Sequence, residues 1–172
     1  YLASLFSDVE DATTVLEAAN LPGIWLQAPG GEQLQEEESR YDTHLWLNSA
    51  NAVLIAEHLA VELVRRDPAN TAAYQSNLAA FQSLLAATQA QITAQLASKK
   101  AMEFAVFHDG IRYFERQFGL QNQFVVAPDH ESQPGIRHLM EIQALIEQNS
   151  PACLLEDVNT SMATVNTVLR DL

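Results

Sequence analysis

The feature that most constrains this chain is an alternation that begins at Phe104. Phe104-Ala105-Val106-Phe107 is a short, wholly apolar run. Ile111, Phe114, Glu115 and Phe118 then recur at helical spacing, and Gly119 is placed to end that helix. Phe124-Val125-Val126-Ala127 is a second apolar run. After it, Ser132 to Asn149 reads as a helix, with Pro134 near its first turn and Ile136, Leu139, Met140, Ile142, Leu145 and Ile146 as its apolar face. Ala152-Cys153-Leu154-Leu155 is a third run, and Thr160-Ser161 caps a last helix through Val165, Val168 and Leu169. Apolar strands separated by helices predict an α/β fold with a parallel sheet and right-handed crossovers. Ligands of such sheets bind at the carboxyl ends of the strands. His108, the Asp129-His130-Glu131 group and Glu156-Asp157 all leave strands at that edge.

Upstream, the pattern is helical. Leu2 to Ala19 reads as one or two amphipathic turns interrupted near Ser7-Asp8; Leu21-Pro22-Gly23 is a turn, and Ile24-Trp25-Leu26 a short strand. Glu32–Arg40 is acid-rich and aperiodic, as expected of a solvated loop. Asn48-Ser49 caps a helix whose stripe is Val53, Ala56, Ala60, Leu63 and Val64, closing at Arg65-Arg66 near the negative end of its dipole. Asp67-Pro68 starts the longest element, with Asp as N-cap and Pro in the first turn. Its stripe of Tyr74, Leu78, Phe81, Leu85, Ile92 and Leu96 runs to about Ser98, which at ~1.5 Å per residue is about 45 Å. Thr88 and the lack of flanking charges argue against a coiled coil.

Composition narrows the partners. A formal charge of -13 with only nine Lys and Arg excludes phosphate neutralisation as the main business of the chain, so nucleic acid is not expected. The single cysteine, Cys153, has no intramolecular partner. There is no run of about 18 apolar residues, so no membrane-spanning segment is expected. Tyr1–Leu5 lacks the basic region of a signal peptide, and the pattern breaks off inside apparent elements at both ends, as in a piece of a longer protein.

His44 and His108 each lie beside a carboxylate, Asp42 and Asp109. A neutral imidazole whose other nitrogen is held by a carboxylate is the common form of a zinc ligand. His58 and His138 fall within helices among charged neighbours and read as surface residues; His130 reads as a polar loop residue or an extra ligand. The signatures H-E-x-x-H, C-x-x-C, G-x-S-x-G and the P-loop are all missing. Glu156 and Asp157 are adjacent, and adjacency is no case for acid–base catalysis.

Asp42-Thr43-His44-Leu45-Trp46-Leu47-Asn48-Ser49-Ala50-Asn51-Ala52 resembles the D-x-H-x-W-L-(S/N)-P-x-N-A motif of the periplasmic metal-binding receptors of ABC importers. Asp67-Pro68-Ala69-Asn70 with Tyr74, Asn77 and Leu78 is similar to the start of that family's long backbone helix. Phe107-His108-Asp109 with Tyr113-Phe114 resembles the F-H-D-A-Y-x-Y-F segment of its zinc branch, the ZnuA type, and Gln133-Pro134-Gly135 the Q-P-G that follows. The resemblance runs from about Tyr41 to Glu156.

It implies a two-lobed receptor in the periplasm, or tethered outside the membrane if lipid-anchored, which holds one metal between its lobes and passes it to an ABC permease. His44 and His108 correspond to two of the family's ligands, with Asp42 and Asp109 as candidates to orient them. Manganese-binding relatives carry Glu at the place of His108, so the resemblance favours Zn²⁺ over Mn²⁺. On this reading residues 1–66 are a remnant of the first lobe, 67–100 the backbone helix, and 101–172 an incomplete C-terminal lobe. The family's first His ligand has no counterpart here, and its C-terminal ligand and the cysteine partner of some zinc members would fall beyond Leu172. Gly110-Ile111-Arg112 departs from the family's Ala-Tyr-Gly, Asp129-His130-Glu131 from its Asn-Pro-Glu, and Ser49-Ala50 lacks the motif's Pro; the acidic loop stands in place of a His-rich one. The rivals are a manganese receptor or adhesin of the same fold, a metal-dependent hydrolase using open metal positions, and a non-metal interaction module built on the long helix.

Overall fold

The computed structural model describes residues 14–31, 40–127 and 136–156. The expected N-terminal turns up to Thr13, the acidic loop from Glu32 to Ser39, the Asp129-His130-Glu131 group, Asp157 and the last helix lie outside them.

Three strands follow the predicted alternation: β1 (Phe104–His108), β2 (Val125–Ala127) and β3 (Cys153–Leu155). They form one parallel sheet in the order β2-β1-β3. On one side Val106 pairs with Val125 and His108 with Ala127; on the other Phe104 pairs with Cys153 and Val106 with Leu155. The middle strand is covered on both faces, and for that reason Phe104, Ala105, Val106 and Phe107 are a continuous apolar run, all four buried. His108 is the last residue of that strand, so the backbone that fixes it is the best-held in the sheet.

The helices are α1 (Ser49–Arg66), α2 (Thr71–Leu96), α3 (Arg112–Phe118) and α4 (Ile136–Asn149). Asn48 caps α1 by accepting from the Asn51 N–H at 3.1 Å. Gly119 ends α3 in the left-handed region, φ 67°, where a Cβ would be strained. Ile142 and Ile146 of α4 pack on Phe107, Val126 and Ala127, with Leu139 at the margin. Each such full burial contributes about 1.5–3 kcal/mol.

Several expectations are corrected. Asp67 does stand at the N-cap with Pro68 in the first turn, but the turn is 3₁₀, Pro68–Asn70, and precedes α2, and the Asp67 carboxylate accepts from Asn70 Nδ2 and the Tyr74 hydroxyl at 2.7 and 2.9 Å. Those two donors hold its carboxyl below the usual range. No residue of α2 is fully buried, and Phe81 is exposed, because α1 covers α2 along one side; Gln82 donates to Glu57 across that contact at 2.9 Å. Met140 and Leu145 face outward, since 139, 142 and 146 already fill the side of α4 that meets the sheet. Ile24-Trp25-Leu26 forms no strand and joins no sheet among the described residues. His138 is half-buried, and its Nε2 meets the Val126 carbonyl at 2.6 Å, a tie from α4 to β2.

Candidate functional site

The site is assembled by a segment far away in sequence. Residues 25–27 and 42–51 are drawn against α3, the helix that follows His108, by buried polar groups. The Tyr113 hydroxyl, fully buried, accepts from the Gln27 N–H at 3.1 Å and donates to the Asp42 carbonyl at 3.0 Å. Asn51 is satisfied on both ends of its amide: Oδ1 accepts from the Trp25 N–H, and Nδ2 donates to the carbonyls of Trp25 and Leu45. Trp25 meets Tyr113 edge-on at 5.3 Å, and the Arg116 guanidinium lies 4.7 Å from the Trp25 ring centre. Gln117 accepts from the Ser49 N–H at 2.7 Å. A buried amide or hydroxyl left unpaired costs about 1–3 kcal/mol, so these bonds fix one docking register.

That register sets Asp42. Its Oδ2 accepts from Gln27 Nε2 at 3.1 Å, and its Oδ1 accepts from both the His44 N–H, at 2.9 Å, and His44 Nδ1, at 2.7 Å. A carboxylate on Nδ1 fixes the tautomer with the proton there and leaves Nε2 as the lone-pair nitrogen. The His44 ring stands 5.3 Å from the His108 ring, centre to centre, at 63°. Trp46 flanks it at 5.6 Å.

Both imidazoles approach Gly110. A Cβ built there would lie 3.2 Å from His108 Nε2, 3.3 Å from His44 Nε2 and 2.9 Å from His108 Cδ2. The departure from Ala at this position therefore leaves room between the two rings. Around them is a cavity of about 230 Å³, walled by apolar Val106, Ile111 and Leu155, with Glu156 as its charged lining residue.

The sequence thus brings His44 and His108 together, with Asp42 behind His44. Asp109 is a different matter: Arg112 Nε binds its carboxylate at 2.5 Å, so its charge is spent on α3. Among the described residues, no three His, Cys, Asp or Glu side chains converge closely enough to hold a metal. Glu115, buried beside Arg112 at 3.6 Å, accepts from Asn122 N–H and Nδ2; burial pushes its carboxyl up against those partners. Sequence reasoning gave Gln27, Tyr113 and Asn51 no role in the site. The available signals were the places of Asn51 and Tyr113 in the two motif segments, and Gln27 itself, a polar residue closing the apolar run from Ile24.

The family profile described as ZnuA, the periplasmic component A of a zinc-uptake complex, matches residues 2–172. The chain belongs to the ZnuA family. The high-affinity zinc uptake system protein ZnuA of Brucella abortus is 30% identical over 129 residues, covering 75% of this chain and 39% of that relative. Among solved structures, the Zn(II)-bound AdcAII mutant variant of Streptococcus pneumoniae superposes with TM-score 0.68 at 25% identity, over 89% of this chain and 56% of that one. TroA of Treponema pallidum, a periplasmic zinc-binding protein, gives 0.77 at 18% identity, over 97% and 59%, which bears on the fold. This ZnuA-family chain therefore carries the solute-binding fold while spanning well under two thirds of its relatives' lengths. Among the described residues no helix is long and apolar enough to cross a membrane.

Proposed function

We propose that this chain is the part of a periplasmic receptor that captures Zn²⁺ as cargo and presents it to the permease of an ABC importer. His44 and His108 bind the ion through Nε2, Asp42 orients His44, and the protein binds rather than transforms its ligand. The observation that carries this reading is the spacing of the rings. Two imidazoles bound through Nε2 to one tetrahedral zinc at ~2.1 Å have ring centres about 5.2 Å apart. The observed 5.3 Å fits that distance. Neutral imidazoles suit zinc better than manganese, which prefers oxygen-rich octahedral sites. On the same reading the chain divides into a first-lobe remnant at 1–66, a backbone helix at 67–100 and a C-terminal lobe from 101, so that the ion is held where the first part meets the last.

The test is thermal unfolding of the metal-free protein with and without zinc, alongside the His44→Ala/His108→Ala double variant. A ligand confined to the folded state stabilises by about 2.7 kcal/mol at a hundredfold excess over Kd. The expected result is a rise in Tm for the parent that the double variant lacks. No rise at millimolar zinc, or an equal rise in both proteins, overturns the assignment.

A further inference from the structure

We infer that Arg112 is a positioning residue for His108, locking the turn on which that imidazole sits; its bearing on zinc rests on the reading above. β1 ends in a three-residue turn: the Gly110 N–H donates to the His108 carbonyl at 2.9 Å, which puts Asp109 at the turn's centre. One such bond is a weak restraint, and the turn is held from outside. Arg112 Nε donates to Asp109 Oδ1 at 2.5 Å, and Arg112 Nη1 lies 3.6 Å from Glu115 Oε2. All three side chains are mostly withdrawn from water, Glu115 almost wholly. Ion pairs in such surroundings are little screened, and the planar guanidinium holds them in one geometry.

The lock is anchored in the sheet itself. Glu115 Oε1 accepts from the Asn122 N–H at 3.2 Å and from Asn122 Nδ2 at 2.7 Å. The next residue, Gln123, donates its N–H to the Phe104 carbonyl at 2.8 Å, and the Val106 N–H donates to the Phe124 carbonyl at 3.2 Å. The contacts thus leave the carboxyl end of β1 at Asp109, cross α3 and return to the start of the same strand. His108 sits where this circuit closes on the turn. Its ring packs against Gly110, where an added Cβ would lie 2.9 Å from Cδ2. Two imidazoles that share one ion must be held to within about 0.5 Å, and that precision needs a supported backbone. Arg112 is among the residues in which the sequence departs from the family segment, so the motif by itself does not supply this support.

The experiment compares the parent with Arg112→Gln/Glu115→Gln. The pair of substitutions removes one positive and one negative charge, so the net charge beside the imidazoles is kept, and the new amide oxygen at 115 can still accept from Asn122. Calorimetric titration with Zn²⁺ gives the affinity. Imidazole nitrogen NMR spectra of the metal-free protein report the His108 ring, with His138, tied to the Val126 carbonyl, as an internal reference. Expected are a fall in zinc affinity of about tenfold, the low end for loss of an outer support to a ligand, and displaced His108 resonances beside unmoved ones of His138. Asp109→Ala cuts the same ion pair at the turn and should displace the same resonances; it decides the matter if the double variant does not fold. Parental zinc affinity in a folded double variant, or parental His108 resonances in either variant, overturns the inference and leaves the receptor reading intact. If the parent itself binds no zinc, the receptor reading falls; displaced His108 resonances then still sustain the positioning role, and parental ones overturn it.

Discussion

The Tyr113 hydroxyl and the Asp42 carbonyl, 71 residues apart, meet at 3.0 Å, and through this bond the helix after His108 positions the turn that carries His44. The same oxygen accepts from the Gln27 N–H, so a single buried hydroxyl satisfies two stretches of backbone. Burial pushes the phenol's pKa upward, helped by the nearby Asp42 charge and opposed by the Gln27 bond. The hydroxyl therefore stays protonated and able to donate through the neutral range.

Tyr113→Phe keeps the ring against Trp25 and removes that oxygen. The Gln27 N–H and the Asp42 carbonyl then lose a partner in a dry environment, at a cost of about 1–3 kcal/mol. Urea unfolding should show this loss, and zinc affinity should fall because Asp42 and His44 are no longer held in place. A variant with the parent's unfolding midpoint would show that the bond organises nothing.

Asp42→Asn tests the next link. Its side chain is 5% exposed, and both oxygens are engaged by donors. An asparagine has one acceptor oxygen, so its amide must confront a donor, either Gln27 Nε2 or His44 Nδ1. The orientation of His44 is then poorer. Loss of such an orienting carboxylate costs about 10–100-fold in metal affinity. Zinc titration should show a drop in that range. Unchanged affinity would mean that His44 is placed by Trp46 and His108 packing instead.

The parts of this fold that were legible in the sequence are those set by local periodicity. The parallel sheet followed from three apolar runs, and Gly119 from the end of a helical stripe; the parallel pairing of β1 with β2 and β3 and φ 67° at that glycine agree with those expectations. His44 and His108 were legible as candidates because motif residues surround them. Their meeting was implied by the family resemblance, which makes both ligands of one metal; what the sequence did not reveal is the set of bonds that enforces it, because the partners of Tyr113, Gln27 and Asn51 are tertiary. Asp109 beside His108 looked equivalent to Asp42 beside His44. Arg112, the first residue of α3 and three residues after Asp109, separates them by taking up the Asp109 carboxylate. Likewise, Met140 belongs to an apolar stripe by sequence, yet the sheet has room for only one side of α4.

Glu115 carries the last prediction, which concerns pH. The residue is 3% exposed, and burial raises its carboxyl above the ordinary value of 4.5, with the Asp109 charge adding to the rise and Asn122 and Arg112 opposing it. Because the folded pKa is the higher one, the unfolded chain gives up this proton first as pH increases. Between 4.5 and the raised folded value the native state thus binds more protons than the unfolded state, and stability falls with rising pH. Glu115→Gln removes this titration while its side-chain oxygen can still accept from the Asn122 N–H and Nδ2, which reach Glu115 Oε1 at 3.2 and 2.7 Å. Against this, Arg112 loses an anionic neighbour at 3.6 Å but keeps Asp109. Relative to the parent, the variant should therefore gain stability as pH rises from about 4.5 towards 7. Urea midpoints of the two proteins, compared at several pH values in that interval, measure the effect. A parent–variant difference constant across the interval would show that Glu115 ionises in the fold as easily as in the open chain, and that Asn122 and Arg112 fully offset its burial.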